Sequence, residues 1–285
     1  MRLAHLHLPH TTPFTRVSEL QQALTTRFLT YKKLASPGSI SSQDTRVSES
    51  KSLLPPPDPT IITFTPNPVY TTGRRDLPPS NTCSHSANLS LPPALEPIRS
   101  ILTPGPNGPK AEYAPTLRGG QTTYHGPGQM VAYTILDLKR HGLTPRCHIR
   151  VLENSVIDLL KSYGVNGFVT EDPGVWVKDP TQTAKKITAV GVHLRRNISS
   201  FGIGFNVTNE PMWFFKQIVA CGLEGKEATS LEGVGVQGVD VDEIASGFVE
   251  QFVKRVNEDF ACRNGASGEK IEEVYPIREE EIQGL

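Results

Sequence analysis

A chain of 285 residues is long enough to bury one substantial core, and length alone permits a single domain. Lys+Arg and Asp+Glu are equal at 29 each, so no net field recruits nucleic acid or an anionic membrane surface, and partners must be read by local patches. No aliphatic run approaches the roughly 18 residues of a membrane span. A soluble monomer is expected, with no nucleic acid and no membrane insertion. Cys83, Cys147, Cys221 and Cys262 show neither a CxxC pair nor metal-ligand spacing, so a reducing compartment, no metal and no cofactor are expected.

The chain opens on RLAHLHL, which alternates like a first strand. Arg2 and Arg16 without an acid in the first 18 residues faintly resemble a mitochondrial targeting segment, but the strand is the better reading. Phe14, Val17, Leu20, Ala23, Leu24, Phe28 and Leu29 then repeat at helical spacing. Residues 35–60 and 76–112, rich in Pro, Ser, Asn and Gly, lack a period that would bury a face and read as inserts. Between them, IITFTPNPVYTTGRR reads as a core strand pair. MVAYTILDL is an apolar strand, and Ile149, Leu152, Val156, Leu159, Leu160 and Tyr163 form a helix stripe that Gly164 stops.

GVWV and ITAVGVHL flank DPTQTAKK as a hairpin whose loop ends on Lys185 and Lys186, and FGIGFNVT continues the sheet. A short helix starts at Pro211 and ends near Cys221. A last amphipathic helix runs from Val241 to Phe260 through Ile244, Phe248, Phe252 and Val256. The fold class is α/β (α+β), a mixed β-sheet flanked by helices in one domain. Its parts are 1–34, 61–75 and 113–262, with inserts at 35–60 and 76–112 and a polar tail at 263–285.

Chemistry-bearing residues are few. Cys221 is followed by Gly222, which leaves the sulfur open to attack on a substrate, although most free cysteines are buried small hydrophobes. A thiol with an ordinary pKa of about 8.5 needs a neighbouring base or cation to work at neutral pH. Lys186, at the edge of the ITAVGV strand, supplies one if desolvation lowers its proton affinity; otherwise it is a solvated loop charge. In RGGQTTYHGPGQ, residues 118–129, the glycines let main-chain N–H groups approach a ligand, and His125 could act as acid, base or carbonyl donor, or simply as a structural hydrogen-bonder. The segment is neither a P-loop nor a dinucleotide fingerprint, and the chain has no GxSxG elbow. Thiol chemistry gains by elimination.

NPVYTTGRR, RGGQTTYHGPGQMVAYTILDLKR, GVWV, KITAVGVHLRR, FGIGFNV and ACGLEGKEATSL, in this order, resemble the octanoyltransferases, also called lipoyl(octanoyl) transferases or lipoate-protein ligase B enzymes. The resemblance covers most of the chain outside the two inserts. It implies the biotin/lipoate protein ligase-like fold and a Cys/Lys dyad formed by Cys221 and Lys186, because Lys186 abuts the strand as the motif lysine does and Lys185 does not. It further implies acyl transfer from octanoyl-acyl carrier protein to a lysine of the lipoyl domains of 2-oxoacid dehydrogenases and of glycine cleavage H protein, in mitochondria, and most closely a fungal member. Arg118, Gly119, Gly120, Gln121, Thr122, Thr123, Tyr124, His125 and Gly126, with Ala189, Val190, Gly191, Gly202 and Gly222, would then line the substrate. Tyr124 and His125 would project inward, and N–H groups near Gly222 and His125 would steady the oxyanion.

Where the family commonly has His-Gly, this chain has Phe201 and Gly202. Arg74, Arg75, Arg195 and Arg196 could meet acidic partner surfaces. The rivals are an ATP-dependent lipoate or biotin ligase, an amidotransferase between protein lysines, and a non-catalytic homologue that binds lipoyl domains.

Overall fold

The computed structural model describes residues 1–35, 55–77, 90–103, 108, 110–179, 181–258 and 268–283. In chain order these form β1 (Arg2–Thr12), α1 (Phe14–Ala35), β2 (Thr60–Pro66), β3 (Val69–Thr72), a 3-10 turn (Pro93–Ile98) leading into α2 (Arg99–Leu102), β4 (Glu112–Pro115), β5 (Thr123–His125) and β6 (Gln129–Ile135). There follow α3 (Pro145–Ser162), β7 (Gly174–Lys178), β8 (Ala184–Arg195), β9 (Ile198–Asn206), α4 (Pro211–Phe215), α5 (Val241–Glu258), β10 (Glu273–Pro276) and α6 (Glu279–Gln283).

Seven strands make a mixed sheet in the order β10-β1-β2-β6-β9-β8-β7, parallel among β10, β1 and β2 and antiparallel elsewhere. Period-2 alternation decides which helices cover which face. Along β6, Met130 and Ala132 point into a core with Val151, Leu152 and Val156 of α3 and Phe248 and Phe252 of α5. Val131, Tyr133 and Ile135 point the other way, into Phe14, Val17, Leu20, Leu24 and Phe28 of α1. Helix α3 begins where Thr144 accepts the Cys147 N–H at 3.2 Å with Pro145 behind it, and it ends at Gly164, whose φ of +72° lets the chain turn away. Arg196 and Asn197, at φ 52° and 64°, make a tight turn joining β8 to β9, a backbone that matches the twist of antiparallel strands.

The structure departs from the sequence reading at several places. The helix from Pro211 ends at Phe215, short of Cys221. IITFTPNPVYTTGRR is not a strand pair: β2 joins the large sheet, whereas β3 sits in a separate sheet of order β4-β3-β5. Between the two strands, Asn67 and Pro68 turn the chain out of the first sheet. Within 76–112, residues 90–103 fold, and Leu91, Leu95, Ile98 and Leu102 bury against Tyr70 and Tyr124. The short Pro-rich turn has no long period to read, yet it covers the outer face of the small sheet. The polar tail likewise adds β10 beside β1 and buries Ile271 and Ile282. Cys83, Cys262 and Phe260 lie outside the described residues.

Leu152 is fully buried between the sheet and α5, so Leu152→Ala should cost about 2–5 kcal/mol through lost burial and a residual cavity. Leu117, 55% exposed, should tolerate alanine within about 0.5 kcal/mol. Urea unfolding of the two variants checks the contrast.

Candidate active site

Main-chain pairing, not side-chain attraction, brings the two sequence-predicted catalytic residues to one place. One strand in from the sheet edge, β8 pairs with β9 from Thr188 onward, and before that point the same side turns to the chain that follows Cys221. The Lys186 N–H donates to the Glu227 carbonyl at 2.9 Å and its carbonyl accepts from Thr229 N–H at 2.9 Å. Cys221 is fixed at the other end by its own N–H, which donates to the Thr122 carbonyl at 2.7 Å. Thr122 is held in turn by Asp76, which accepts its N–H at 2.6 Å and its hydroxyl at 2.7 Å. Both Lys186 and Cys221 line the same cavity of about 220 Å³.

The hairpin reading puts Lys185 and Lys186 at the end of a loop, but both lie inside β8, beside a bulge at which Ile187 has no partner between Val175 and Trp176. An extra residue there re-aims the side chains on either side of it. Lys185 is held outward by Asp179 at 3.2 Å and Glu227 at 2.7 Å, and the hydrogen bonds to Glu227 and Asp179 raise its pKa. Lys186 turns to the cavity, its Nζ 3.0 Å from the Pro173 carbonyl and 4.9 Å from the centre of the Trp176 ring. Burial lowers its pKa, and the neighbouring Cys221 and Asp172 oppose the shift. Neighbouring lysines thus differ in opposite directions.

Cys221 adopts φ 57°, ψ 18°, a left-handed conformation that a non-glycine residue takes at a cost of roughly 1–2 kcal/mol. Gly222 follows at φ +68°, and a Cβ there would collide with Oε1 of Gln121. Two successive left-handed residues curl the chain tightly enough to present a side chain at the tip. Such strain marks positions that the surrounding structure over-determines.

Of the residues expected to line the substrate, Arg118, Gly119, Gly120, Gln121, Thr123, His125, Ala189, Val190, Gly191 and Gly202 border the cavity. Thr122 and Gly222 act through backbone and packing instead. Tyr124 does not project inward as expected: β5 alternates, so Thr123 and His125 face the cavity while the Tyr124 ring turns away and stacks on Phe214 at 4.2 Å. Gly126 packs against that ring, with its N–H given to Gln129. The expected oxyanion donors are also engaged, since Gly222 N–H bonds the Val219 carbonyl at 3.1 Å. Two buried groups bordering the cavity lack hydrogen-bond partners among the described residues: Nε of Arg118 and the Thr123 hydroxyl.

Arg118 spends its other nitrogens on carbonyls of Gly119 and Thr71 and the Thr71 hydroxyl, with no carboxylate bonded to it among the described residues. Burial lowers its pKa, and Cys221 opposes that shift. His125 is buried, hydrogen-bonded to Gln129, and pushed down to about 3 by burial and by Arg118. A neutral ring at neutral pH leaves it no role as a proton donor in the imidazolium form. Phe201, at φ 61°, lines the cavity, packs edge-on to Tyr133 and gives its N–H to Gln21. Sequence reasoning missed Asp76, Thr71, Tyr133 and Asp172; Asp76 directly follows the NPVYTTGRR block, the one signal that pointed to it.

Residues 50–253 match the model of the lipoyl protein ligase A/B catalytic domain. The chain belongs to this family. Within the family it is 38% identical over 224 residues to a probable octanoyltransferase of Schizosaccharomyces pombe, covering 78% of this chain and 82% of that one. It is 34% identical to the mitochondrial octanoyl-[acyl-carrier-protein]:protein N-octanoyltransferase LIPT2 of Danio rerio, covering 70% of this chain and 77% of that one. A mitochondrial octanoyltransferase of Saccharomyces cerevisiae is 29% identical over 88% of this chain and 81% of its own. Lipoate-protein ligase A bound with ATP superposes with a TM-score of 0.54 at 13% identity, covering 99% of this chain and 92% of that one, which establishes the shared fold.

Three histidines, two buried and one half-buried, contribute to the acid sensitivity of this family member. Burial pushes His125 and His148 down to about 3 and His5 to about 4. Their unfolded value is about 6.5, so as pH falls the unfolded chain binds protons first; the stability is full above that value and is lost toward the folded ones. Unfolding free energy measured in urea should therefore fall below about pH 6.5, by up to about 1.4 kcal/mol per pH unit for each histidine. A flat profile down to about pH 5 would contradict the shielding of all three.

Proposed function

We propose that the chain is an octanoyl-[acyl-carrier-protein]:protein N-octanoyltransferase, working through a thioester on Cys221. The observation that carries the mechanism is that Cys221 and Lys186 border one cavity, each pinned there by its backbone. Family membership and the octanoyltransferase relatives support the reaction class.

Lys186, whose burial favours the neutral amine, accepts the Cys221 proton. The thiolate attacks the thioester carbonyl of octanoyl-acyl carrier protein, forming a new C–S bond. Collapse of the oxyanion breaks the old one, and the departing thiolate takes the proton from the Lys186 ammonium. The amine of an acceptor lysine then attacks the acyl-cysteine while Lys186 removes its proton; the amide forms and Cys221 leaves and is reprotonated. Thioester-to-thioester exchange is near balance and amide formation runs downhill, so no nucleotide need drive the sequence.

The unpartnered Thr123 hydroxyl and Arg118 Nε are the donors suited to the oxyanion, in place of the engaged N–H groups of Gly222 and Gly126. Val190, Val192, Phe201, Ile203 and Tyr133 supply apolar wall, where burial of the acyl chain is worth about 0.8 kcal/mol per CH₂. The acceptors of this reading are lipoyl domains of 2-oxoacid dehydrogenases and glycine cleavage H protein. The mitochondrial relatives support work in that compartment.

Mixing the chain with octanoyl-acyl carrier protein, without ATP, should add one octanoyl group by intact mass, and Cys221→Ala should abolish it. No adduct on the unaltered chain would remove the mechanism. Lys186→Ala should fold normally and transfer about 10²–10⁴-fold more slowly. Thr123→Val, which removes the hydroxyl at nearly constant volume, should slow adduct formation by about 10²-fold while melting as the parent does; unchanged kinetics would move the oxyanion donor elsewhere.

A further inference from the structure

A charged residue buried under α3 plays no part in the mechanism above. Glu153 is 4% exposed, on a helix whose inward neighbours are Val151, Leu152 and Val156. Packing does not require a carboxylate there, and burying one is costly unless it is well partnered. Its Oε1 accepts the Gly174 N–H at 3.0 Å, and its Oε2 meets Arg150 at 3.1 Å. On the far side of the same peptide unit, the Pro173 carbonyl accepts Lys186 Nζ at 3.0 Å.

The geometry points to Glu153 as a positioning residue for Lys186, acting through the Pro173–Gly174 peptide. In a trans peptide the N–H and C=O point in opposite directions, so carboxylate and lysine amine stand at the two ends of one dipole. The carboxylate meets the positive end and the lysine the negative end. Each bond in such a chain polarises the next, which strengthens the carbonyl as an acceptor and favours the ammonium form. The peptide leads into β7, where Gly174 pairs with Ala189, and at φ +125° the residue is one that a side chain would exclude, since a Cβ there would meet the Thr188 carbonyl oxygen. The site gains a lysine that is desolvated enough to give up its proton yet anchored enough to take one.

The other charged groups that act on Lys186 are Cys221, Asp172 and Lys226, the last two paired with each other at 2.5 Å. Burial pulls the Lys186 pKa down, Cys221, Asp172 and Glu153 pull it up, and Lys226 adds to the effect of burial. Glu153 acts on it through space like the others and, in addition, through the hydrogen-bonded Pro173–Gly174 peptide. The importance of the link rests on Lys186 being the proton carrier; its existence does not.

The experiment is an NMR titration of ¹³Cε-labelled lysine in the Cys221→Ala chain, which removes the coupled thiol; the Lys186 signal is assigned by its loss on Lys186→Met. Glu153→Gln keeps an acceptor for Gly174 and removes the charge. It should lower the Lys186 midpoint by about one pH unit with the melting temperature little changed. Glu153→Asp keeps the charge with a shorter reach and should lower the midpoint by less, which serves if Gln does not fold. An unchanged midpoint in either folded variant overturns the inference, as does a lower melting temperature with the midpoint fixed, the mark of a purely structural carboxylate. With Cys221 restored, Glu153→Gln should shift the pH profile of octanoyl adduct formation to lower pH. If Lys186→Met transfers normally while Glu153→Gln still moves the Lys186 titration, the acyl-transfer role of Lys186 falls and the link to Glu153 stands.

Discussion

The candidate site depends on two main-chain bonds at Lys186, its N–H to the Glu227 carbonyl and its carbonyl from the Thr229 N–H. They join the end of a core strand to a loop that has little apolar anchorage of its own near Cys221. Backbone bonds of this kind hold direction as well as distance, and they leave both side chains free for chemistry. Asn206 extends the seam by donating to the Thr229 carbonyl at 2.8 Å, and Leu231 N–H returns to the Asn206 carbonyl. The cysteine loop is therefore an extension of the sheet, and its position inherits the rigidity of β8 and β9. A site on such supports keeps its geometry better than one on an isolated loop.

Charge is arranged around this seam by how deeply each cation sits. Lys185 faces acids and water; Lys186, one residue on, faces aromatic and backbone groups. Arg118 is buried with carbonyls and a hydroxyl as partners, which engage its two terminal nitrogens, leave Nε open and do not cancel its charge. A permanent positive charge in a low-dielectric wall favours any negative charge that develops nearby, whether on sulfur or on a carbonyl oxygen. His125, by contrast, is kept neutral by the same burial and by the same arginine. The glycine-rich segment thus supplies a fixed cation and a neutral imidazole, and only one of its aromatic side chains turns inward.

Long periodic segments were legible in the sequence: α1, α3 and α5 each carry a stripe of large apolar residues, and β6 and β9 are buried runs. Cys221 and Lys186 stand out through ordered motifs rather than through periodicity. What escaped was set by tertiary context. The Tyr124 ring follows the pleat of β5 into a third core, which a Pro-rich turn helps to close, and no local period announces that turn. Asp76 acts through the backbone of a residue far along the chain, and Glu153 looks from sequence like the polar face of an amphipathic helix. The bulge at Ile187 is invisible to a hairpin template, yet it decides which lysine enters the cavity.

Phe201 shows how a local departure can be absorbed. Its left-handed backbone, at φ 61°, would be costly without support. Gln21, buried on α1, accepts the Phe201 N–H at 2.6 Å, and Tyr133 packs against the ring at 5.3 Å between centroids. The helix that closes one face of the sheet thereby fixes a strand residue at the cavity wall. An aromatic ring there has no proton to exchange, so the position contributes shape and apolar surface to the cavity wall. That surface matches the substrate: a thioester carbonyl needs polar groups at one end of the cavity, and an aliphatic tail needs none at the other.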